Sequence, residues 1–143
     1  MSAALQIVCS TCLALNQVPV RNLGARPICA VCRSRLVDDV PAELSPQSFE
    51  RYVQGNHLPV LVEFWSPEAG SCLAQSGELD ALARALGSGV LLARVNVFEH
   101  LQLAEQQRAA GGSVLVLYLE GRELARRSPS ASATEIREWI AGA

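Results

Sequence analysis

Apolar runs alternate with amphipathic stretches from residue 45 to residue 143, which predicts strands alternating with helices. Residues 59–65 and 89–97 are almost entirely apolar, as expected for central strands covered on both faces. Residues 113–127 predict a hairpin whose turn is Glu120-Gly121. Helices are predicted over SPQSFERYVQG, GSCLAQSGELDALARAL, EHLQLAEQQRAA and SATEIREWIAGA. This order predicts an α/β fold with a central mixed sheet flanked by helices.

Two of the predicted helices carry start signals. Ser45 followed by Pro46 is typical of an N-cap with proline at the first helical position. Ser132 and Glu135 have the spacing of a capping box. We therefore expect the first helix to begin near residue 46 and the last near residue 133.

The N-terminal segment lacks this periodicity and contains four of the five cysteines. Cys9 and Cys12 form one C-x-x-C pair, Cys29 and Cys32 form another, and sixteen residues separate the pairs. This spacing is typical of a site in which two turns place four thiolates around one zinc ion. With four protein ligands such a site is closed, so its role is structural. Two unrelated redox or unpaired cysteine pairs remain the alternative.

The change in pattern suggests a division of the chain. Residues 1–40 are predicted to form a zinc-binding module, which is too short to bury a stable core without the metal. Residues 41–47 follow a polar stretch, contain Pro41, and are predicted to be a linker. The α/β domain is assigned to residues 45–143, overlapping the linker where the first helix begins.

Composition and charge exclude several classes of function. The formal net charge of −2 gives no reason to expect nucleic acid or an anionic membrane as a partner. No apolar run approaches the length of a membrane-spanning helix, and the N-terminus does not resemble a secretory signal. We therefore expect a cytoplasmic protein, and in that compartment clustered cysteines favour metal over disulfides.

The segments VEFWSPEAGSC, RVNV and LYLEGRE, together with the spacing of the four N-terminal cysteines, resemble the zinc-containing bacterial thioredoxins of the thioredoxin 2 type. The resemblance covers roughly residues 7 to 140. It implies a thioredoxin fold, one structural Zn²⁺, and a surface around residues 65–72 that faces other proteins.

The departures from that family fall at the positions of its chemistry. Disulfide exchange starts when the first cysteine of the family's pair attacks a target sulfur as a thiolate, and that position is Ala69 here. Cys72 matches the resolving cysteine, which acts only after the attack. The other replacements are Glu68 for a tryptophan, Ser71 for a proline, Ser113 for the cis-proline, Glu63 for a buried aspartate and Arg94 for a lysine.

Two of these residues allow two interpretations each. Cys72 is either a small buried apolar residue or a monothiol that becomes glutathionylated or traps a partner. Glu63 is either the structural ion-pair partner of Arg94 or a remaining proton-transfer acid that has no cysteine to serve.

The sequence therefore predicts a non-catalytic protein-binding module that acts as an adaptor, a chaperone-like factor or a regulatory subunit. Its partner surface is predicted to comprise Trp65, Glu68, Ser71, Gly112 and Ser113, and Glu68 favours a basic partner. The alternative for this face is that it is idle and that the partner binds the zinc module or an outer helix. The Gly112–Ser113 bond is expected to be trans, because a cis bond before a non-proline residue costs about 3–4 kcal/mol. The alternative is a residual redox protein that acts through Cys72, or through the N-terminal cysteines as a zinc-releasing sensor.

Overall fold

The structure is a computed structural model that describes residues 3–37, 40–67, 78–87, 89–111, 114–128 and 132–143. Near the N-terminus, β1 (Ala4–Val8) pairs with β2 (Leu15–Pro19) in an antiparallel hairpin. The larger sheet contains β3 (Ala42–Glu43), β4 (Val60–Trp65), β5 (Leu91–Asn96), β6 (Val114–Leu119) and β7 (Arg122–Arg127). The helices are α1 (Phe49–Gly55), α2 (Glu78–Leu86), α3 (Leu101–Gln106) and α4 (Ala133–Ala141).

The larger sheet is mixed, as the sequence predicts. Its strand order is β3-β5-β4-β6-β7. β3 and β4 run parallel to β5, whereas β6 runs antiparallel to both β4 and β7. β4 lies at the centre, and its residues from Val60 to Phe64 are all buried, because side chains on both faces of the strand are covered.

Helices cover both faces of this sheet. On one face, α1 and α3 pack over Val60, Val62 and Phe64 of β4. On the other face, α2 and α4 pack over Leu61, and Leu82 and Ile136 are fully buried there. The predicted fold class is therefore confirmed. No helix in the described part of the chain is long and apolar enough to cross a membrane.

Of the three predicted turn and capping signals, two are confirmed and one is wrong. Glu120 and Gly121 adopt φ values of 49° and 85° at the turn between β6 and β7, as a tight hairpin turn requires. Ser132 caps α4, because its Oγ accepts a hydrogen bond from the Glu135 backbone N–H at 3.2 Å. The predicted N-cap at Ser45 is wrong. The Ser45 hydroxyl lies 3.4 Å from the Ser48 hydroxyl, residues 45–48 form a turn, and the helix begins at Phe49.

Residues 3–37, called the cysteine module below, comprise the β1–β2 hairpin, a 3₁₀ helix (Val20–Ala25) and a second turn closed by an Ile28–Arg35 bridge. The module shares its core with the α/β domain. Its buried residues Ile7 and Val8 belong to the same cluster of side chains as Phe49 and Tyr52 of α1. The two parts of the chain therefore bury apolar surface against each other.

The segment after α1 holds the module in place by hydrogen bonds. The fully buried Asn56 side chain accepts a bond from the Val8 backbone N–H at 2.8 Å and donates one to the Tyr52 carbonyl at 2.7 Å. His57 pairs with Gln6, since its backbone N–H donates to the Gln6 carbonyl and its Nδ1 accepts from the Gln6 N–H. At Gly55 a Cβ would lie 2.7 Å from Val8, so the close approach of the hairpin requires glycine.

An ion pair lies within the central strands. Arg94 of β5 stands directly opposite both Glu63 of β4 and Glu43 of β3. Its Nε donates to the Glu63 Oε1 at 2.9 Å, and its Nη1 lies 3.6 Å from Glu43. Glu63 is fully buried, whereas the Arg94 side chain is 11% exposed. The predicted Glu63–Arg94 pair is confirmed, with Glu43 as a third member at the edge.

This geometry predicts that replacing Arg94 lowers the unfolding free energy more than replacing Glu63. Arg94→Leu leaves the buried Glu63 carboxylate without its cation and is expected to cost about 3–5 kcal/mol of unfolding free energy near neutral pH. Glu63→Gln should cost less, because Arg94 keeps Glu43 as a partner. The double change to leucine should recover most of the loss, because it removes both charges. Urea denaturation of the four proteins measures these differences.

A more exposed ion pair provides the comparison for these costs. The matched control is Glu123→Gln, which breaks the more exposed Glu123–Arg126 pair and should cost less than about 1 kcal/mol. The buried-pair account is wrong if Arg94→Leu costs no more than this control.

Candidate functional site

Four thiols meet in the cysteine module. The sulfurs of Cys9, Cys12, Cys29 and Cys32 all lie within 4.8 Å of one another. The Cys9 and Cys32 sulfurs are 3.5 Å apart, and those of Cys12 and Cys29 are 3.6 Å apart. A tetrahedral ion with bonds of about 2.3 Å requires sulfur separations of about 3.8 Å. The cluster can therefore hold a metal ion.

Both C-x-x-C turns use the same backbone geometry. In the first, the Leu13 N–H donates to the Cys9 carbonyl at 2.9 Å; in the second, the Arg33 N–H donates to the Cys29 carbonyl at 3.0 Å. Leu13 and Arg33 have φ values of 65° and 68°, in the left-handed region that favours glycine. A non-glycine residue in that region costs about 1–2 kcal/mol. The turns therefore require tertiary interactions that hold them in this conformation.

Hydrogen-bond donors reach the sulfurs of the two buried cysteines of the cluster, Cys9 and Cys29. The Thr11 N–H points at the Cys9 sulfur and the Val31 N–H at the Cys29 sulfur, each at 3.4 Å. The Asn16 amide lies 3.6 Å from the Cys29 sulfur. The Cys32 backbone N–H, followed by the Val31 N–H and the Asn16 amide, lowers the pKa of Cys29 to about 6. The backbone hydrogen bond at Ala14 lowers the pKa of Cys12, but desolvation and the neighbouring thiols outweigh it and raise that pKa to about 12. Because the thiolate is the form that binds metal, the contacts at Cys29 favour ligation.

The cluster lies at the boundary between core and solvent. Cys9 and Cys29 are completely buried, Cys32 is partly buried and Cys12 is exposed. The Ser34 hydroxyl and backbone lower the pKa of the Cys32 thiol. One side of the cluster therefore belongs to the core shared with α1, and the other can be reached from solution.

A second group of functional candidates lies at the end of β4. The Arg94 guanidinium carbon stands 4.3 Å from the centroid of the Trp65 ring, so the ion pair with Glu63 also supports this aromatic side chain. The Trp65 indole nitrogen is buried and has no hydrogen-bond partner among the residues that the structure describes. Glu63 is tied to Arg94, which agrees with the interpretation of this carboxylate as a structural ion-pair partner.

Several sequence-predicted residues lie outside the described part of the chain. These are Glu68, Ala69, Ser71, Cys72, Gly112 and Ser113. The structure brings together the four N-terminal cysteines at one place and Glu63, Trp65 and Arg94 at another. The surroundings of Cys72 and the geometry of the Gly112–Ser113 bond remain predictions.

Sequence reasoning missed three polar residues. Asn16 connects the two cysteine turns, because its side chain bonds Ala30 N–H and reaches the Cys29 sulfur. Asn56 anchors the module to α1. His57 is exposed, and its Nδ1 accepts a hydrogen bond from the Gln6 backbone N–H. Their partners are up to 51 residues away in sequence, so no local pattern could have identified these roles.

Comparisons with known proteins agree with this architecture. The family model described as Thioredoxin matches residues 40–142. The chain is 28% identical over 134 residues to Thioredoxin C-3 of Corynebacterium nephridii, covering 94% of this chain and 92% of that protein. It is 30% identical over 98 residues to a thioredoxin of Rhodospirillum rubrum, covering 68% of this chain and 94% of that protein.

The first of these matches extends beyond the α/β domain. A match of 134 residues must include about 30 residues before residue 40, so it takes in much of the cysteine module. A shorter match, 32% identical over 79 residues, covers 13% of protein disulfide isomerase-like 1-4 of Arabidopsis thaliana and 54% of this chain. The fold, the sheet order and these matches lead to one conclusion: the chain belongs to the thioredoxin family.

Proposed function

We propose that this chain is a thioredoxin 2-type protein with a structural zinc ion and a degenerate redox site, and that it binds another protein without reducing disulfides. The observation that carries the proposal is the distribution of cysteines. Four of the five belong to the N-terminal cluster, which leaves Cys72 as the one cysteine between residues 40 and 143, with Ala69 at the position of the attacking thiol.

The missing sulfur removes the first step of disulfide exchange. A thiolate must attack one sulfur of the target disulfide, form a mixed disulfide and expel the other sulfur. Ala69 has no lone pair to donate, and a resolving thiol has no mixed disulfide to attack. The Glu63 carboxylate, engaged by Arg94 at 2.9 Å, is held as an ion-pair partner. Both features support a role without turnover.

Zinc is the metal that best suits the cluster. Four thiolates in a tetrahedral arrangement are typical of structural zinc sites, although iron can also occupy four-thiolate sites. Cys9, Cys12, Cys29 and Cys32 would be the ligands, and no position is left for a substrate. Zn²⁺ would supply cross-linking energy to a module too small to fold by itself. The reducing cytoplasm, which keeps thiols free of disulfides, is the compartment that suits such a site.

The proposed binding surface is the one that meets substrates in redox-active relatives. Trp65 is half-buried and supported by Arg94, so it offers a firm aromatic contact. Glu68, Ser71, Gly112 and Ser113 would complete the surface, by sequence position. The carboxylate of Glu68 would favour a basic partner protein.

A residual thiol-redox role is the second candidate. Relatives with 28% and 30% identity are named thioredoxins, and the exposed Cys12 gives an oxidant access to the cluster. In this alternative Cys72, or the cluster as a zinc-releasing sensor, would carry the chemistry.

Metal analysis tests the cofactor. The purified chain should contain one zinc ion per molecule, and Cys29→Ser should lose it, because three thiolates hold the ion less tightly. Since the module shares its core with α1, the variant should also lower the midpoint of thermal unfolding of the whole chain. Cys72→Ser is the matched control and should keep its zinc. A chain without metal and with two disulfides among the four N-terminal cysteines would contradict the proposal.

A turnover assay tests the loss of redox function. Insulin reduction by dithiothreitol should run no faster with the protein than without it, because no attacking thiol is present. An acceleration that disappears in Cys72→Ser would favour the residual redox role. An acceleration that survives Cys72→Ser but is lost on zinc loading would assign the activity to the N-terminal cysteines.

The partner surface can be tested by affinity capture followed by direct binding. A captured basic protein should bind at least about tenfold more weakly to Trp65→Ala and to Glu68→Arg, which remove the aromatic contact and reverse the charge. Arg137→Glu on the exposed face of α4 serves as a charge-change control. If both site variants bind like wild type, the surface around Trp65 is not the partner site.

A further inference from the structure

The outer edge of β2 is an open strand edge. In the hairpin, the Cys9 N–H donates to the Ala14 carbonyl and the Val20 N–H donates to the Ala3 carbonyl. Hydrogen-bonded pairs alternate along an antiparallel ladder, so Gln17, opposite Gln6, belongs to a pair that is not bonded across the hairpin. Its backbone N–H and C=O therefore point away from β1.

The corresponding groups on the other side of the hairpin are occupied. On β1, the Gln6 N–H and C=O are hydrogen-bonded to His57, and the Val8 N–H donates to the Asn56 side chain. Leu15 and Gln17 of β2 have no such cover, and within the described residues their outward backbone groups have no hydrogen-bond partner. The hairpin thus has one edge sealed by the α/β domain and one edge available for another strand.

A groove runs along the open edge. Its volume is about 540 Å³, and its lining combines the amide residues Asn16, Gln17 and Asn22 with apolar residues that include Leu15, Val18, Pro27 and Ile28. Leu15 is 50% exposed and Ile28 is 49% exposed. The edge strand itself, LNQVP, carries no charge that would keep other strands away, and Pro19, which has no N–H, ends the pairing edge after Gln17. An extended chain placed here would gain backbone hydrogen bonds and could bury alternate side chains in the groove.

The positive charge of the cysteine module indicates which kind of extended segment the β2 edge would favour. The cysteine module contains four arginines and no acidic residue; Asp38 and Asp39 are the next acids along the sequence. Arg21 and Arg26 are next in sequence to Asn22 and Pro27, which line the groove. Four thiolates around a divalent ion carry two net negative charges, so the module stays positive when loaded. A second copy at this edge would bring two basic modules together, which disfavours a dimer.

We propose that the outer edge of β2 accepts an extended acidic segment of a partner protein as a third strand of the hairpin sheet. Its backbone pairs with Leu15 and Gln17, its apolar side chains enter the groove beside Ile28, and its carboxylates face Arg21 and Arg26. This surface is separate from the one around Trp65 and does not depend on whether the chain reduces disulfides.

The direct test is a titration of the ¹⁵N-labelled 143-residue chain with a capped peptide that alternates valine and glutamate. The amide signals of Leu15 and Gln17 should shift and become protected from exchange, and added salt should weaken binding. A peptide with lysine in place of glutamate should not bind. Failure of the glutamate peptide to bind, or shifts centred on Trp65, would overturn the proposal.

Two modifications separate strand addition from simple charge attraction. Gln17→Pro removes the outward N–H but leaves pairing with β1 intact, and should weaken binding about tenfold, whereas Gln17→Thr should bind like wild type. A glutamate peptide N-methylated on its pairing edge needs no protein variant and should also bind poorly. Equal binding by the N-methylated peptide would contradict the strand-addition mode.

The charge requirement has its own control. Arg21→Glu should reduce affinity, whereas Arg122→Glu on β7 carries the same charge change away from the groove and should not. Sedimentation without peptide should show a monomer. A dimer that disappears in Gln17→Pro would place a second copy at this edge and overturn the assignment to an acidic segment.

Discussion

The cluster of four thiols is the constraint on which the N-terminal part of this structure depends. Two turns hold Leu13 and Arg33 at positive φ, and each turn places one fully buried sulfur, Cys9 or Cys29, against the shared core. A module of this size has too little buried surface to hold such turns by packing alone. Convergence of the sulfurs brings the two turns together and keeps the β1–β2 hairpin in the orientation in which it meets α1.

The junction with α1 extends this constraint into the α/β domain. Asn56 satisfies a backbone group on each side of the junction, and Gly55 allows the hairpin to approach closely. Phe49 and Tyr52 are covered on one side by the sheet and on the other by module residues of the same core. Loss of the cluster would therefore expose apolar surface on a helix that belongs to the thioredoxin domain.

At the opposite face of the sheet, the ion pair of Glu63 and Arg94 supports the end of β4. Glu63, Arg94 and Glu43 align across three neighbouring strands, and Trp65 stacks on the central arginine. A buried carboxylate bonded in this way orders the strand ends from which the surface projects. The Arg94 guanidinium of this arrangement also holds the Trp65 ring, which belongs to the proposed binding surface.

Local sequence patterns predicted the elements that depend on apolar periodicity or on hydrogen bonds between residues close in sequence. The apolar runs of β4 and β5, the Glu120-Gly121 turn and the Ser132 cap follow from side-chain burial and short-range hydrogen bonds. The spacing of the cysteines predicted their convergence. The start of α1 was misplaced because Ser45 and Ser48 bond each other, and the roles of Asn56 and His57 were missed because their partners lie about 50 residues away. The predictions for Cys72 and Ser113 stay open.

Hydrogen exchange, compared between the metal-loaded chain and the same chain after chelation, tests most directly whether α1 depends on the cysteine module. If the cluster organises both the module and its junction, chelation should abolish protection in residues 3–37 and also lower it in α1, including Tyr52 and Val53, while the central strands β4 and β6 stay protected. Unchanged protection of α1 after loss of the metal would contradict the account, because it would show that the helix does not depend on the module packed against it.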